Sequence, residues 1–160
     1  MRKRKSARAK FIDYRAPGYY FITTNIKYFI PVFGEIRNKI MYLKEAGVIA
    51  WQCWYEIPKH FDVKIDEFIV MPDHIHGILI LPNKPDNHPL YEIVGLYKSS
   101  VTRIIRSQIV GRGHDPALQF VRWHKSYHDR IIRDHHELNR IRNYIRTNPA
   151  RWNPDRHSAA

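Results

Sequence analysis

The chain holds a single cysteine, Cys53, in 160 residues, which excludes an internal disulfide and a thiolate zinc cluster. Cys53 lies among Trp51, Trp54 and Tyr55 and reads as a buried filler. No apolar run approaches the ~18 residues that span a bilayer. The basic opening, Met1 to Lys10, is not succeeded by the apolar core of a signal peptide, because Asp13, Arg15 and Pro17 interrupt the next stretch of chain. These absences predict an intracellular, cytoplasmic protein with a flexible basic arm over 1–10, one domain over 11–153 and a flexible tail over 154–160. No membrane partner is expected. Acidic residues are the scarce charge, 15 against 27 basic ones, and the net +12 points to a polyanionic partner, nucleic acid first.

What is present is enough for a core: 44% of residues are hydrophobic and 13% aromatic. Tyr19 to Ile26 is β-branched and aromatic and reads as a strand entered through Pro17-Gly18. From Glu35 to about His60, Ile36, Ile40, Leu43 and Ile49 fall at roughly helical spacing, which predicts one long or broken helix with Gly47 and Pro58 as weak points. Val63 to Val70 alternates as a strand, and Met71-Pro72-Asp73 turns it into a second apolar strand. After a proline-rich loop, Tyr91 to Ile109 is helical through Ile93, Leu96, Val101, Ile104 and Ile105. Residues 111–116 are expected to form a loop, followed by a strand near Tyr127 to Ile132. Asp134, with Glu137 three residues on, has the spacing of a capping box opening a last helix through Leu138, Ile141, Tyr144 and Ile145 to Pro149. The order β-α-β-β-α-β-α predicts an α+β fold, an antiparallel sheet backed by helices.

The chemistry-bearing feature is His74-Ile75-His76, set in the aliphatic run Phe68 to Leu81. A strand puts residues i and i+2 on one face, so two imidazoles stand side by side where one divalent cation can be held. Two unpartnered polar rings there would be costly, so their nitrogens need partners. Alone, such a pair is more often structural than catalytic. Further features stand beside it: Tyr144 with Asn148 four residues on, the polar cluster Tyr127-His-Asp-Arg130, and basic residues mixed with aromatics (Arg122, Trp123, His124, Lys125, Arg142, Arg146, Arg151, Trp152). Basic and aromatic residues together suit phosphates and unpaired bases. Arg103, Arg122, Lys125, Arg130, Arg142 and Arg146 are the candidate contacts to DNA.

Met71-Pro-Asp-His-Ile-His-Gly77, Tyr127-His-Asp-Arg-Ile-Ile-Arg133 and Asn143-Tyr-Ile-Arg-Thr-Asn-Pro149, with Trp152 after them, together resemble the REP-associated tyrosine transposases, relatives of the single-tyrosine HUH transposases of small insertion sequences. The resemblance covers about nine-tenths of the chain. It implies a ferredoxin-like HUH fold that cuts and rejoins single-stranded DNA near a hairpin, with Tyr144 as nucleophile, His74 and His76 as metal ligands, and Asn148 either as a further ligand or as a helix cap. The cofactor it implies is Mg²⁺ or Mn²⁺; imidazole favours Mn²⁺ and cellular supply favours Mg²⁺. Related enzymes form homodimers, in which the tyrosine can act in trans. A phenol ionises near pH 10 and is a weak nucleophile at neutral pH, so a cation that polarises the phosphate would carry much of the activation. Exchange of one phosphodiester for another needs no ATP, in keeping with the absence of a Gly-X-X-X-X-Gly-Lys-Ser/Thr loop. Two other readings remain open from sequence: a nucleic-acid-binding domain without catalysis, and a metal-dependent phosphodiesterase in which water attacks.

Overall fold

The computed structural model describes residues 13–108, 118 and 121–154. The expected arm over 1–10, the loop over 111–116 and all but the first residue of the tail lie outside them. The elements come in the order β1 (Gly18–Asn25), β2 (Gly34–Arg37), β3 (Ile40–Leu43), α1 (Glu45–His60), β4 (Lys64–Val70), β5 (His74–Leu81), α2 (Leu90–Gln108), β6 (His128–Ile132) and α3 (His135–Thr147). Four strands make one sheet in the order β4-β5-β1-β6, with each neighbouring pair antiparallel. Setting aside the β2-β3 hairpin and α3, this is the β-α-β-β-α-β connectivity of a ferredoxin-like fold.

One expected element is different. Glu35 to Leu43 is no part of a helix: it is the hairpin β2-β3, in which Arg37 pairs with Ile40 across Asn38 and Lys39. Both turn residues have positive φ, 50° and 65°, the geometry of a tight two-residue hairpin turn that asparagine tolerates well. Ile36, Ile40 and Leu43 recur at helical spacing by coincidence, because a two-residue turn restarts the alternation. The helix begins only at Glu45 and then runs through Gly47 and Pro58 unbroken. Gly47 lies so close to the Phe33 carbonyl that a Cβ there would collide with it, and Pro58 falls in the last turn, so the helix ends soon after the donor it lacks.

The sheet separates two apolar layers. On one face α1 and α2 lay Ala50, Trp54, Ile93, Tyr97 and Val101 against Tyr20, Ile22, Ile75 and Leu79. Leu96 of α2, expected among the inward positions, is exposed. Cys53 is buried here, and burial pushes its thiol pKa up, which suits an inert filler. On the other face α3 lays Leu138, Ile141 and Ile145 against Ile78 and Ile132, with Tyr19, Phe21 and Ile69 around them. The strand β5 is therefore covered on both sides, as the aliphatic residues on both of its faces predict.

The Asp134 carboxyl accepts from the Glu137 backbone N–H at 2.7 Å, the expected cap of α3. Glu137 reaches back one residue further than a standard capping box, accepting from the N–H of Arg133 at 3.0 Å. Among the described residues, no helix is long and apolar enough to cross a membrane.

Candidate active site

Alternation decides which side chains of the central strands meet α3. His74 and His76 of β5 share a face with Ile78, and opposite them across the ladder lie Asn25 and Thr23 of β1, so these four side chains line one stretch of sheet. Gly77, next to His76, faces the other way: a Cβ there would run into the Trp54 indole, which stacks on Phe68 with ring centroids 4.5 Å apart. The glycine lets the large ring of α1 sit directly behind the histidine pair.

Both imidazoles are buried, and all four ring nitrogens have neighbours. His74 Nδ1 lies 2.5 Å from Asp73 Oδ1, and His76 Nδ1 lies 2.7 Å from Thr23 Oγ1. The two Nε2 atoms face one another at 3.1 Å. Asp73 fixes the proton of His74 on Nδ1 and leaves its Nε2 as a lone pair, while the Thr23 hydroxyl can donate to His76 Nδ1 or accept from it. The separation therefore suits either one proton between the rings or a cation shared by both. Two nitrogens at right angles around an ion, each ~2.1 Å from it, stand about 3.0 Å apart, so the spacing fits a small octahedral cation. Burial, reinforced by the neighbouring His74, pushes the His76 pKa down to about 3, which keeps it a neutral imidazole near pH 7.

From the other side, α3 brings Tyr144 to the pair. Its ring centroid is 5.2 Å from that of His76 and 6.1 Å from that of Phe21, and with 37% of its surface exposed the phenol remains accessible. Asn148, one turn further along, is buried and keeps helical φ/ψ of −58° and −42° although Pro149 comes next. Its backbone N–H closes the last turn onto Ile145 O. Among the described residues its side-chain amide has no hydrogen-bond partner, and it lines a cleft of about 290 Å³ together with Thr23, Asn25, His74, His76, Tyr144 and Trp152. Trp152 stacks on His74 at 5.8 Å and walls the cleft at that end. His74, His76 and Asn148 thus line one cleft with two imidazoles and a carboxamide, groups able to ligate a cation. Among the described residues no cluster of three or more His, Cys, Asp or Glu side chains forms a charged cage.

The six candidate DNA-contacting residues divide. Arg142 of α3 makes two hydrogen bonds to Asp66, at 2.8 and 2.5 Å, Arg146 pairs with Glu67, and Arg130 pairs with Glu137. Arg122 and Lys125 are exposed in the segment that leads into β6. Arg103 is exposed on α2, in a separate groove of about 760 Å³ shared with Lys98, Arg106 and Trp123, on the α1-α2 side of the sheet. Sequence reasoning missed Thr23, Asn25 and Asp73. Asp73 was signalled by its position beside His74; Thr23 and Asn25 carry no such signal, since Thr24 between them is polar as well and is buried on the opposite face of the strand.

A ferredoxin-like sheet with a histidine pair on its third strand and a helix-borne tyrosine over that pair describes a class, the HUH fold. Residues 22–148 match the family described as IS200-like transposases. The chain belongs to this family. It is 35% identical over 174 aligned positions to an uncharacterized protein of Haemophilus influenzae, covering 95% of this chain and 91% of that one. Among solved structures, a REP-associated tyrosine transposase bound to a REP hairpin superposes with a TM-score of 0.63 at 18% identity, covering 92% of this chain and 74% of the other. A protein of Deinococcus radiodurans proposed to be a transposase gives a TM-score of 0.56 at 19% identity, over 89% and 96%. At these identities the structural likenesses establish the fold, α+β and HUH, with its antiparallel sheet backed by helices.

Proposed function

We propose that this protein cuts and rejoins single-stranded DNA beside a hairpin, with Tyr144 as the attacking group. The observation that carries the reading is the approach of the Tyr144 ring to within 5.2 Å of the His76 ring in a cleft that also holds Asn148, from elements far apart in the chain. The Tyr144 oxygen attacks the scissile phosphorus and loses its proton to solvent. The bond from phosphorus to the 3′ oxygen breaks, leaving a 5′-phosphotyrosine and a free 3′-hydroxyl. Attack by that hydroxyl, or by another, reverses the exchange and releases Tyr144. His74, His76 and Asn148 are the residues that would hold Mg²⁺ or Mn²⁺, which when bound polarises the phosphate and offsets the charge gained in the transition state. Asp73 and Thr23 orient the two imidazoles, and Trp152 limits water access at one end.

The match to a transposase bound to a REP hairpin supports a hairpin-bearing substrate. Arg122 and Lys125 are the first candidates for phosphate contacts. Arg130, Arg142 and Arg146 would reach DNA only by releasing their acidic partners, and Arg103 suits a distal part of the substrate on the other side of the sheet. Because Tyr144 and the histidines of one chain already face each other, the reading is of a tyrosine acting in cis; a homodimer is not required.

The test incubates the protein with end-labelled hairpin DNA and Mn²⁺ and resolves the products on a denaturing gel. Wild type should give a covalent protein–DNA band, absent in Tyr144→Phe and in His76→Ala. Cleavage retained in Tyr144→Phe would assign attack to water, and a blank across a panel of hairpins would leave only binding.

A further inference from the structure

Beyond the cleft, the chain leaves β1 through a turn whose chemistry neither folding propensity nor burial explains. Tyr28 has φ 64° and ψ 13°, and Phe29 after it has φ 52°, so two successive bulky residues occupy the left-handed region that glycine and asparagine favour. A residue held there is normally justified by its packing. Phe29 has such a reason, since its ring lies 5.6 Å from that of His124. Among the described residues Tyr28 has none: it is 74% exposed, and its ring meets the Lys27 amine, 4.8 Å from the ring centroid.

The turn is fastened to the cleft by backbone. Ile26 N–H donates to Asp73 O at 2.7 Å, beside the carboxyl that orients His74. Lys27 N–H donates to Arg122 O at 2.7 Å, and His124 N–H donates to Asn25 O at 2.8 Å, so the exposed Arg122 and Lys125 flank the same turn. Asn25 itself lines the cleft. Going outward from the histidines, the surface therefore passes from Asn25 to a displayed phenol with the Lys27 amine at its ring, and the segment that carries Arg122 and Lys125 is hydrogen-bonded to the same turn by its backbone. Strain kept at such a place, with an exposed aromatic as its product, is the mark of a binding element.

We propose that Tyr28 is a stacking platform for an unpaired base of the strand that leaves the cleft, with Lys27, Arg122 and Lys125 holding the adjoining phosphates. A base stacks on an aromatic face whatever its identity, and the Lys27 amine limits the ring's rotation. The inference rests on single-stranded DNA occupying the cleft.

The experiment uses the full chain carrying Tyr144→Phe, without added metal, and measures by fluorescence anisotropy the binding of a hairpin with a single-stranded flank and of the same hairpin made blunt. Tyr28→Asn should weaken binding to the flanked hairpin about tenfold, the loss of one stacked base. It should leave the blunt hairpin unchanged, and Tyr28→Phe should bind like the parent. Asparagine tolerates the turn better than tyrosine, so the Tm of Tyr28→Asn should not fall. Equal affinity of Tyr28→Asn and parent for the flanked hairpin would overturn the proposal, as would an equal loss on the blunt one. Failure of the Tyr144 reading shows separately, as the absence of a covalent band in the wild type while the Tyr28-dependent binding persists.

Discussion

At the scale of single residues, the histidines are held by Thr23 and Asp73. Partners of this kind around metal-binding imidazoles typically contribute 10–100-fold in affinity or activity. Thr23→Val keeps the shape of the side chain and removes the hydroxyl facing His76 Nδ1. It should weaken Mn²⁺ binding by about tenfold or more in a calorimetric titration, while Thr23→Ser stays near wild type; equal affinities for all three would remove Thr23 from the site. The histidine pair was legible in the sequence because two polar residues interrupt an apolar run, and Tyr144 because it joins Asn148 on one helix face. Thr23 was not, since a threonine in a strand is ordinary until the ladder sets it opposite His76. Arg142 and Arg146 read as phosphate contacts from composition, and only the three-dimensional neighbourhood reveals the carboxylates that hold them.

At the scale of elements, α3 is joined to the edge strand β4 by the pairs Arg142–Asp66 and Arg146–Glu67. Consecutive strand residues normally point to opposite faces, yet Asp66 and Glu67 both meet α3. The irregular register between Ile65 and Phe68 resolves this, because a bulge suspends the alternation for the two acids. The residue pattern over Val63 to Val70 predicts strict alternation, and a bulge leaves no periodic trace in a sequence; the β2-β3 hairpin escapes notice for the related reason that its turn resets the period. Elsewhere the apolar spacing is long enough to be unambiguous, as in α2 and α3. The Arg142 guanidinium holds the Asp66 carboxyl below its usual pKa of 3.8. A depressed carboxylate contributes stability above the unfolded value and loses it as pH falls through the folded one. Asp66→Asn should therefore lower stability by about 2 kcal/mol near pH 7 in urea unfolding, and the gap to wild type should close below pH 3.8. A gap that persists unchanged at pH 2 would show that the pair's charge is irrelevant.

At the scale of the whole molecule, the net +12 makes ionic strength the main control on DNA affinity. Plotted as log affinity against log salt, single-strand binding should slope downward by about 0.7 per phosphate contact. Replacing both Arg122 and Lys125 by alanine should flatten that slope by roughly 1.4, which titrations at several salt concentrations measure. An unchanged slope would put the phosphates elsewhere, with the α2 groove around Arg103 and Arg106 as the next place to look. The division of the cleft between β5 and α3 also has a consequence in time. In a chain emerging from the ribosome, the histidine strand is made first, then α2 and β6, and α3 with Tyr144 comes after them. A nascent or prematurely terminated product ending before α3 holds both imidazoles but lacks the proposed attacking group, and it leaves the apolar face around Ile78 and Phe21 uncovered as a signal for quality control. On the proposed mechanism, the capacity to break a strand is completed only when α3 follows the sheet.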